Sequence, residues 1–322
     1  MKAIVYERYG SPDVLNLEEI DRPSVPDDGV LVRVRAASVN PLDWHFMRGE
    51  PYLARMAFGM RKPKEKFLGV DLAGHVEAVG RNVTQFQAGD EVFGTGHGAF
   101  AEYACTGEKT LVPKPAGLTF EQAAAVPVAA VTALQGLRDH GRIQPGQKVL
   151  INGASGGVGT FAVQIARSFG AEVTGICSTG NVEMVRSLGA ARVIDYTQED
   201  FTTGEERYDL VLDVAGSRKW SELKRVLNAR ATVVVAGGPS TNRWLGPVSH
   251  LVGMRVASVG GDHKVVNFLA SVNKEDLLVL RELLEAGKVT PVVDRTYSLT
   301  EAAEAVRYLE AGHARGKVVI TV

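Results

Sequence analysis

The chain has 322 residues, of which 45% are apolar and 23% charged, a length that favours two domains and a composition normal for a globular protein. Its 36 basic and 37 acidic residues leave a formal net charge of -1, and no concentrated basic run is present to attract nucleic acid through counterion release. Only two cysteines occur, Cys105 and Cys177, which argues against a disulfide scaffold and suits a reducing compartment. The opening Met1-Lys2-Ala3-Ile4-Val5-Tyr6 lacks the apolar core of a signal peptide. No apolar run reaches bilayer-spanning length, so the expected location is cytoplasmic, with no membrane and no nucleic-acid partner. The cluster Arg61, Lys62, Lys64 and Lys66, broken by Pro63 and Glu65, reads as a solvated loop.

Along the first third, short β-like runs stand at Val30–Val34, Gly74–Val79, Asp90–Phe93 and Phe100–Ala104. Turn signals such as Pro26-Asp27-Asp28-Gly29 and Ala88-Gly89-Asp90 separate them. This rhythm predicts an all-β, partly barrel-like unit. It changes at Thr119-Phe120-Glu121-Gln122, which has the spacing of a capping box and leads an Ala/Val-rich helical stretch. From Lys148 strands and helices alternate: strand Lys148–Asn152, helix Val158–Phe169 ended at Gly170, strand Glu172–Cys177, helix Asn181–Leu188 ended at Gly189, strand Arg192–Tyr196. Tyr208–Val214, Thr232–Ala236 and Val256–Val259 read as further buried strands, and the set predicts a doubly wound parallel sheet. The tail carries helices at Lys274–Ala286 and Leu299–Glu310 and a closing strand at Lys317–Val322. Periodicity leaves open whether these extend the sheet domain or return to the first.

The strongest local signal is Asn152-Gly153-Ala154-Ser155-Gly156-Gly157-Val158-Gly159, set between a buried strand and a helix. Glycines let a backbone approach a pyrophosphate closely, and the following helix offers unpaired N–H groups and its positive dipole end. Ala154 replaces the first glycine of a strict Gly-x-Gly-x-x-Gly, and the strand–loop–helix–strand context supplies the specificity. A tight turn without a ligand is the alternative. NAD-selective folds place Asp or Glu roughly 20 residues past the glycines. Ser178, Thr179, Gly180 and Asn181 stand there instead, with Tyr196 at the end of the third strand. No carboxylate at that place repels a 2′-phosphate, so NADPH is favoured; the same residues also read as a polar turn capping the next helix. The candidate cofactor residues are Ser155, Gly156, Gly157, Val158, Ser178, Asn181 and Tyr196, together with Ala215, Gly237 and Gly238 at the carboxyl ends of later strands.

Taken in order, several motifs resemble a known family. They are Asn40-Pro41-Leu42-Asp43 with Arg48-Gly49, Gly69-Val70-Asp71-Leu72-Ala73-Gly74 leading to Val79-Gly80, and Phe86-Gln87-Ala88-Gly89-Asp90. Gly98-Ala99-Phe100-Ala101-Glu102-Tyr103, the Asn152–Gly159 loop, Gly287-Lys288-Val289, Ala302-Ala303 and Gly316-Lys317-Val318-Val319 complete the set. The chain resembles, nearly end to end, the zinc-independent, quinone oxidoreductase-like members of the medium-chain dehydrogenase/reductase superfamily. The resemblance implies an α/β fold in which a GroES-like, β-rich catalytic domain (1–122 and 263–322) is interrupted by a Rossmann domain (123–262). It also implies an active site in the cleft between domains and a homodimer. Zinc-dependent relatives carry Cys where this chain has Asn40 and His-Glu where it has Val70-Asp71, so the three-ligand set of a catalytic zinc is missing and no metal is expected.

What the resemblance implies for chemistry is hydride transfer from NADPH to a quinone or an α,β-unsaturated carbonyl. The cofactor carries the hydride and the protein positions the reactants. Charge then grows on the acceptor oxygen, to be met by a hydrogen-bond donor or by solvent protons. Asn40, Asp43 and Tyr52 are the catalytic candidates: related enzymes line the cleft with a matching Asn and Asp, and a Tyr follows an Arg-x-Gly region. Here Arg48-Gly49 precedes Tyr52 with a different spacing. Asp43 reads equally as a residue holding its loop through backbone hydrogen bonds. Thr132 resembles a position beside the nicotinamide, and Lys317 matches a Gly-Lys/Arg motif able to reach a phosphate or to face solvent. Met47–Phe67 and Thr241–Val252, with Trp244 and Leu245, are the expected acceptor loops. A carbonyl/alcohol dehydrogenase and an NADPH-binding sensor with little turnover remain the rival readings.

Overall fold

The computed structural model describes residues 1–238, 244, 248–258 and 261–322. The chain forms two compact units: Met1–Val131 with Ser271–Gly287 and Pro291–Val322, and Thr132–Ala270 with Lys288–Thr290.

In the second unit, strands Lys148–Asn152, Glu172–Cys177, Arg192–Asp195, Tyr208–Asp213, Leu227–Val235 and Lys264–Asn267 make one sheet. Counted along the chain, their spatial order is 3-2-1-4-5-6, and every neighbouring pair is parallel. A parallel sheet covered on both faces needs apolar residues on both sides of its strands, and Val149, Leu150 and Ile151 are all fully buried. The helix Gly157–Ser168 lays Phe161, Ala162, Val163, Ile165 and Ala166 into the core and gives way to Gly170, whose φ of +80° a side chain rarely adopts.

One expected strand is corrected. Val256–Val259 is no strand: Val248–Ala257 is a helix, and Val259 lies outside the described residues. A short apolar run is ambiguous between strand and helix, and here Val252 and Val256 face outward. The sixth strand is Lys264–Asn267, so a boundary at 262 cuts the sheet, and the second unit runs on to Ala270. At the other end it begins at Thr132 rather than 123. Lys288–Thr290 also belongs to it, because the Gln164 side chain donates to Thr290 O (3.0 Å) and accepts from Thr290 N (2.8 Å).

The first unit is a mostly antiparallel sheet running Val293–Ser298, Lys317–Thr321, Gly29–Val39, Asp71–Val79, Glu91–Thr95, Leu111–Pro113, with Tyr103–Gly107 paired to Gly29–Val39. Its core gathers Val30, Val32, Val34, Met47, Leu72, Phe100, Val306 and Ile320. The closing strand pairs antiparallel with Gly29–Val39, Val318 opposite Val39, which settles the tail: its helices Lys274–Glu285 and Ala302–Glu310 return to this unit. The capping box at Thr119 and Gln122 is formed, each side chain bonding the other's backbone N–H.

The glycine loop fixes the seam between strand and helix in the second unit. A Cβ on Gly159 would lie 2.0 Å from Gly153 O and 2.7 Å from Ala154 Cα, whereas one on Gly156 would meet nothing nearer than Gly153 O at 3.6 Å. Gly159→Ala therefore has to push the helix off the loop and should cost about 2–4 kcal/mol in urea unfolding. Gly156→Ala should cost about 1 kcal/mol or less.

Candidate active site

The carboxyl edge of the parallel sheet brings most of the candidate cofactor residues together. Asn152 ends the first strand, Gly153 turns the chain at φ +89°, and Gly156 stands as N-cap of the helix with no side chain capping it. The N–H groups of Gly157, Val158 and Gly159 have no acceptor within the helix and carry its positive end. The room over Gly156 leaves that backbone approachable. Beneath the loop, Asn152 Nδ2 donates to Asp213 Oδ1 (2.7 Å) and Ser217 Oγ (3.1 Å), while Gly216 N donates to Asp213 Oδ1 (2.8 Å). This buried clamp ties the ends of the first and fourth strands, and burial pushes the Asp213 carboxyl up. The exposed Ala215 donates its N–H to Asn152 O (3.3 Å). Gly237 and Gly238 lie so close to Val214 O and Gly216 that no side chain fits between them.

At the end of the second strand, one amide organises two hydroxyls. Asn181 Nδ2 donates to Ser155 Oγ (3.3 Å) and Ser178 Oγ (3.1 Å), so each serine keeps its own proton to donate outward. Asn181 Oδ1 is buried without a partner. Tyr196 N donates to Cys177 O (3.1 Å), which sets Tyr196 beside Ser178, and its ring is exposed. Thr179 differs from its neighbours: its Oγ1 donates to Asp195 Oδ2 at 2.6 Å. Asp195 belongs to no recognisable motif, although the parallel register that sets it opposite Cys177 follows from aligning the two strands. Thr132 is half-buried in the helix Pro127–Gln135. Burial pushes the Cys177 thiol up to about 11, which makes it inert.

In the first unit the sheet register gathers a buried ionic cluster. Ser38 pairs with Asp71, and Val39 with Val318, so Asn40 and Lys317 sit one residue beyond that second pair. Lys317 Nζ donates to Asn40 Oδ1 (2.6 Å) and stands 3.6 Å from Asp71 Oδ2. Asp71 accepts further from Ser38 Oγ (2.8 Å), Asn40 Nδ2 (2.9 Å) and Val128 N (3.0 Å). Burial lowers the lysine's proton affinity while Asp71 opposes that shift.

These contacts revise the catalytic candidates. Asn40 is only 2% exposed, and its whole amide is engaged: Oδ1 by Lys317, Nδ2 by Asp71 and Ser38 O (3.3 Å). The orientation is forced, because an ammonium only donates and a carboxylate only accepts. Asn40 therefore presents no spare donor. Asp43 takes the holding role: at the third position of the helix Pro41–Arg48 it accepts from Asn40 N (2.7 Å) on one oxygen and Gly69 N (3.1 Å) on the other. Burial, helped by the Asp71 charge, raises its carboxyl to about 7 against the pull of those N–H groups. Tyr52 opens a separate short turn with the Arg55 guanidinium 4.6 Å from its ring centroid, and is not part of the cluster. Lys317 does not face solvent, being 3% exposed with its ammonium committed inside the first unit.

The donor set does not fit zinc. Where a metal would need deprotonated N, S or O ligands, the cluster offers an amide already bonded and a carboxylate already facing an ammonium. Among the described residues no three His, Cys, Asp or Glu side chains could hold a metal together, and no helix is long and apolar enough to cross a membrane.

Comparison with known proteins agrees with this architecture. A family model described as "Alcohol dehydrogenase GroES-like domain" matches residues 26–116, and one described as "Zinc-binding dehydrogenase" matches residues 188–320. The chain is 36% identical to the 2-methylene-furan-3-one reductase of Solanum lycopersicum, over 99% of this chain and 79% of that protein. It is 35% identical to a chloroplastic NADPH-dependent alkenal/one oxidoreductase of Arabidopsis thaliana, with the same coverage. The quinone oxidoreductase from Coxiella burnetii superposes with a TM-score of 0.88 at 30% identity, covering 100% of this chain and 99% of that one.

Two measurements test the cluster. Lys317→Met strands the Asp71 carboxylate in the interior and should lower unfolding free energy by about 3–5 kcal/mol. The second is pH dependence. The folded protein keeps the Asp43 proton up to about pH 7, while the unfolded chain releases it near 3.8. The folded state thus binds more protons across that window, and stability falls as pH rises through it, by at most about 1.4 kcal/mol per pH unit for one proton. Asp43→Asn should flatten that slope in urea titrations from pH 4 to 7; an unchanged slope would show that another group produces it.

Proposed function

We propose a reaction from one premise: this chain belongs to the medium-chain dehydrogenase/reductase superfamily, in its quinone oxidoreductase group. It is an NADPH-dependent oxidoreductase that reduces a quinone or an α,β-unsaturated carbonyl. The observation that carries the cofactor half of this reading is the pair of serine hydroxyls, Ser155 and Ser178, turned into outward donors by Asn181 beside an uncapped helix N-terminus. A pyrophosphate suits the N–H groups of Gly157 and Val158, and a 2′-phosphate suits two hydroxyl donors with no carboxylate at their own position.

NADPH, when bound, supplies the hydride. The residues of this chain supply placement and charge. Gly156 lets the pyrophosphate approach, Asn181 fixes the serine hydroxyls, and the Asn152–Asp213 clamp holds the loops in register. Asn40 and Asp43 act as positioning residues, since both side chains are spent on internal partners. Hydride addition to the acceptor leaves an enolate or hydroquinone oxyanion, and one proton from solvent completes the reduction. Zinc has no part in this reading, because Lys317 already supplies the cation where the zinc-dependent relatives have their metal ligands. The same reading includes a cytoplasmic homodimer; the two free cysteines suit a reducing compartment.

The test follows NADPH absorbance with 1,2-naphthoquinone, p-benzoquinone, 2-alkenals, methyl vinyl ketone and saturated aldehydes, with NADH and EDTA controls. Oxidation with quinones or enones that survives EDTA is the expected result. Turnover confined to saturated aldehydes and abolished by EDTA would sink the zinc-free reading. Tight NADPH binding without turnover on any acceptor would make the protein a sensor.

A further inference from the structure

Asp195 brings a negative charge to the strand ends where the serine hydroxyls gather. It closes the third strand of the parallel sheet in register with Cys177, and Ser178 follows Cys177 directly. One carboxylate oxygen accepts from Thr179 Oγ1 (2.6 Å). The other accepts from Thr197 N (3.0 Å) and Thr197 Oγ1 (2.7 Å). These bonds, that of Thr179 foremost, hold the carboxyl below the ordinary carboxylate range, so it is ionised at neutral pH. Its charge is met by hydroxyl and amide dipoles alone, since among the described residues no lysine, arginine or histidine pairs with it.

Two consequences follow for any phosphate placed beside Ser178. The carboxylate repels it, because like charges at a partly solvated edge still interact. In addition, Thr179 belongs to the turn that runs from Ser178 to Asn181, yet its proton is given to Asp195 and is withheld from a ligand. Ser155 and Ser178 are therefore left as the donors of a cluster that contains a third hydroxyl.

Resting on the NADPH reading above, we infer that Asp195 is a specificity-determining residue that works against the 2′-phosphate and limits how strongly this protein prefers NADPH to NADH. In Asp195→Asn the charge disappears while the shape is kept. The amide oxygen stays on the two Thr197 donors, and Nδ2 turns its protons on Thr179 Oγ1. The Thr179 hydroxyl, which also lies 2.9 Å from Thr197 Oγ1, then becomes an acceptor from the amide, and its proton is no longer committed to a carboxylate.

The experiment measures dissociation constants for NADPH, NADH and adenosine 2′,5′-bisphosphate by calorimetry, on the wild-type protein, D195N and D195S, at low salt and at about 0.5 M salt. D195S removes the charge without the amide, and thermal unfolding reports whether each variant is folded. At low salt NADPH and the bisphosphate should bind about three- to tenfold more tightly to both variants, with NADH changed by less than about twofold. High salt should shrink the gain, because screening already weakens the repulsion in the wild type. No tightening in either variant, or an equal gain for NADH, would overturn the inference. The wild-type arm tests the underlying reading separately: a wild type that binds neither NADPH nor the bisphosphate removes the NADPH reading itself, whereas wild-type binding with unresponsive variants removes only the role of Asp195.

Discussion

The interaction on which the first unit turns is the buried ammonium of Lys317. An unpaired charge in a protein interior costs several kcal/mol, and a buried pair is tolerated only when its geometry and remaining hydrogen bonds are well made. Here the requirement shapes three segments together. The closing strand must pair so that Lys317 meets Asn40, the strand Gly29–Val39 must place Ser38 against Asp71, and the helix Pro41–Arg48 must start where Asn40 can leave its strand. Asp43 then bonds the Asn40 backbone, which leaves the Asn40 side chain to the ion pair. A one-residue slip in any of these pairings would send the charged groups to opposite faces of the sheet.

That arrangement also bears on how the acceptor is activated. A catalytic zinc works because one coordination position stays open to substrate oxygen. An ammonium hydrogen-bonded to an amide and facing a carboxylate offers no open coordination position, and the amide it holds has no hydrogen left to give. The cluster is thus a rigid support. Quinones and enones suit such a protein because they accept hydride at an electrophilic carbon and leave a delocalised oxyanion, which places less demand on a Lewis acid than reduction of a simple carbonyl does.

The parts of this design differ in how far the amino-acid order reveals them. The doubly wound sheet and its glycine loop are legible because their constraints are local: Gly153 needs its positive φ, Gly159 has no room for a Cβ, and apolar strands alternate with helices that end at Gly170 and Gly189. The occupied amide of Asn40 is not legible, since its partner lies 277 residues away and only the register of the closing strand delivers it. Asp195 is an intermediate case. Its position follows from setting two neighbouring parallel strands side by side, but the direction of the Thr179 hydrogen bond does not. Val256–Val259 misleads for a third reason: a short apolar run carries no information on period, and the strand comes a few residues later at Lys264–Asn267.

In the NADPH reading proposed above, the two halves of the cofactor cradle differ in kind. The pyrophosphate half is made of backbone, with N–H groups at a helix start and a glycine that leaves them bare, so substitutions there change affinity for any dinucleotide alike. The ribose half is made of side chains whose proton directions decide whether they suit a hydroxyl or a phosphate. Asn181 sets that direction for Ser155 and Ser178, and Asp195 sets it for Thr179. In that reading affinity and selectivity rest on separate residues, and the Asp195 carboxylate biases one nucleotide against the other without touching the glycine loop.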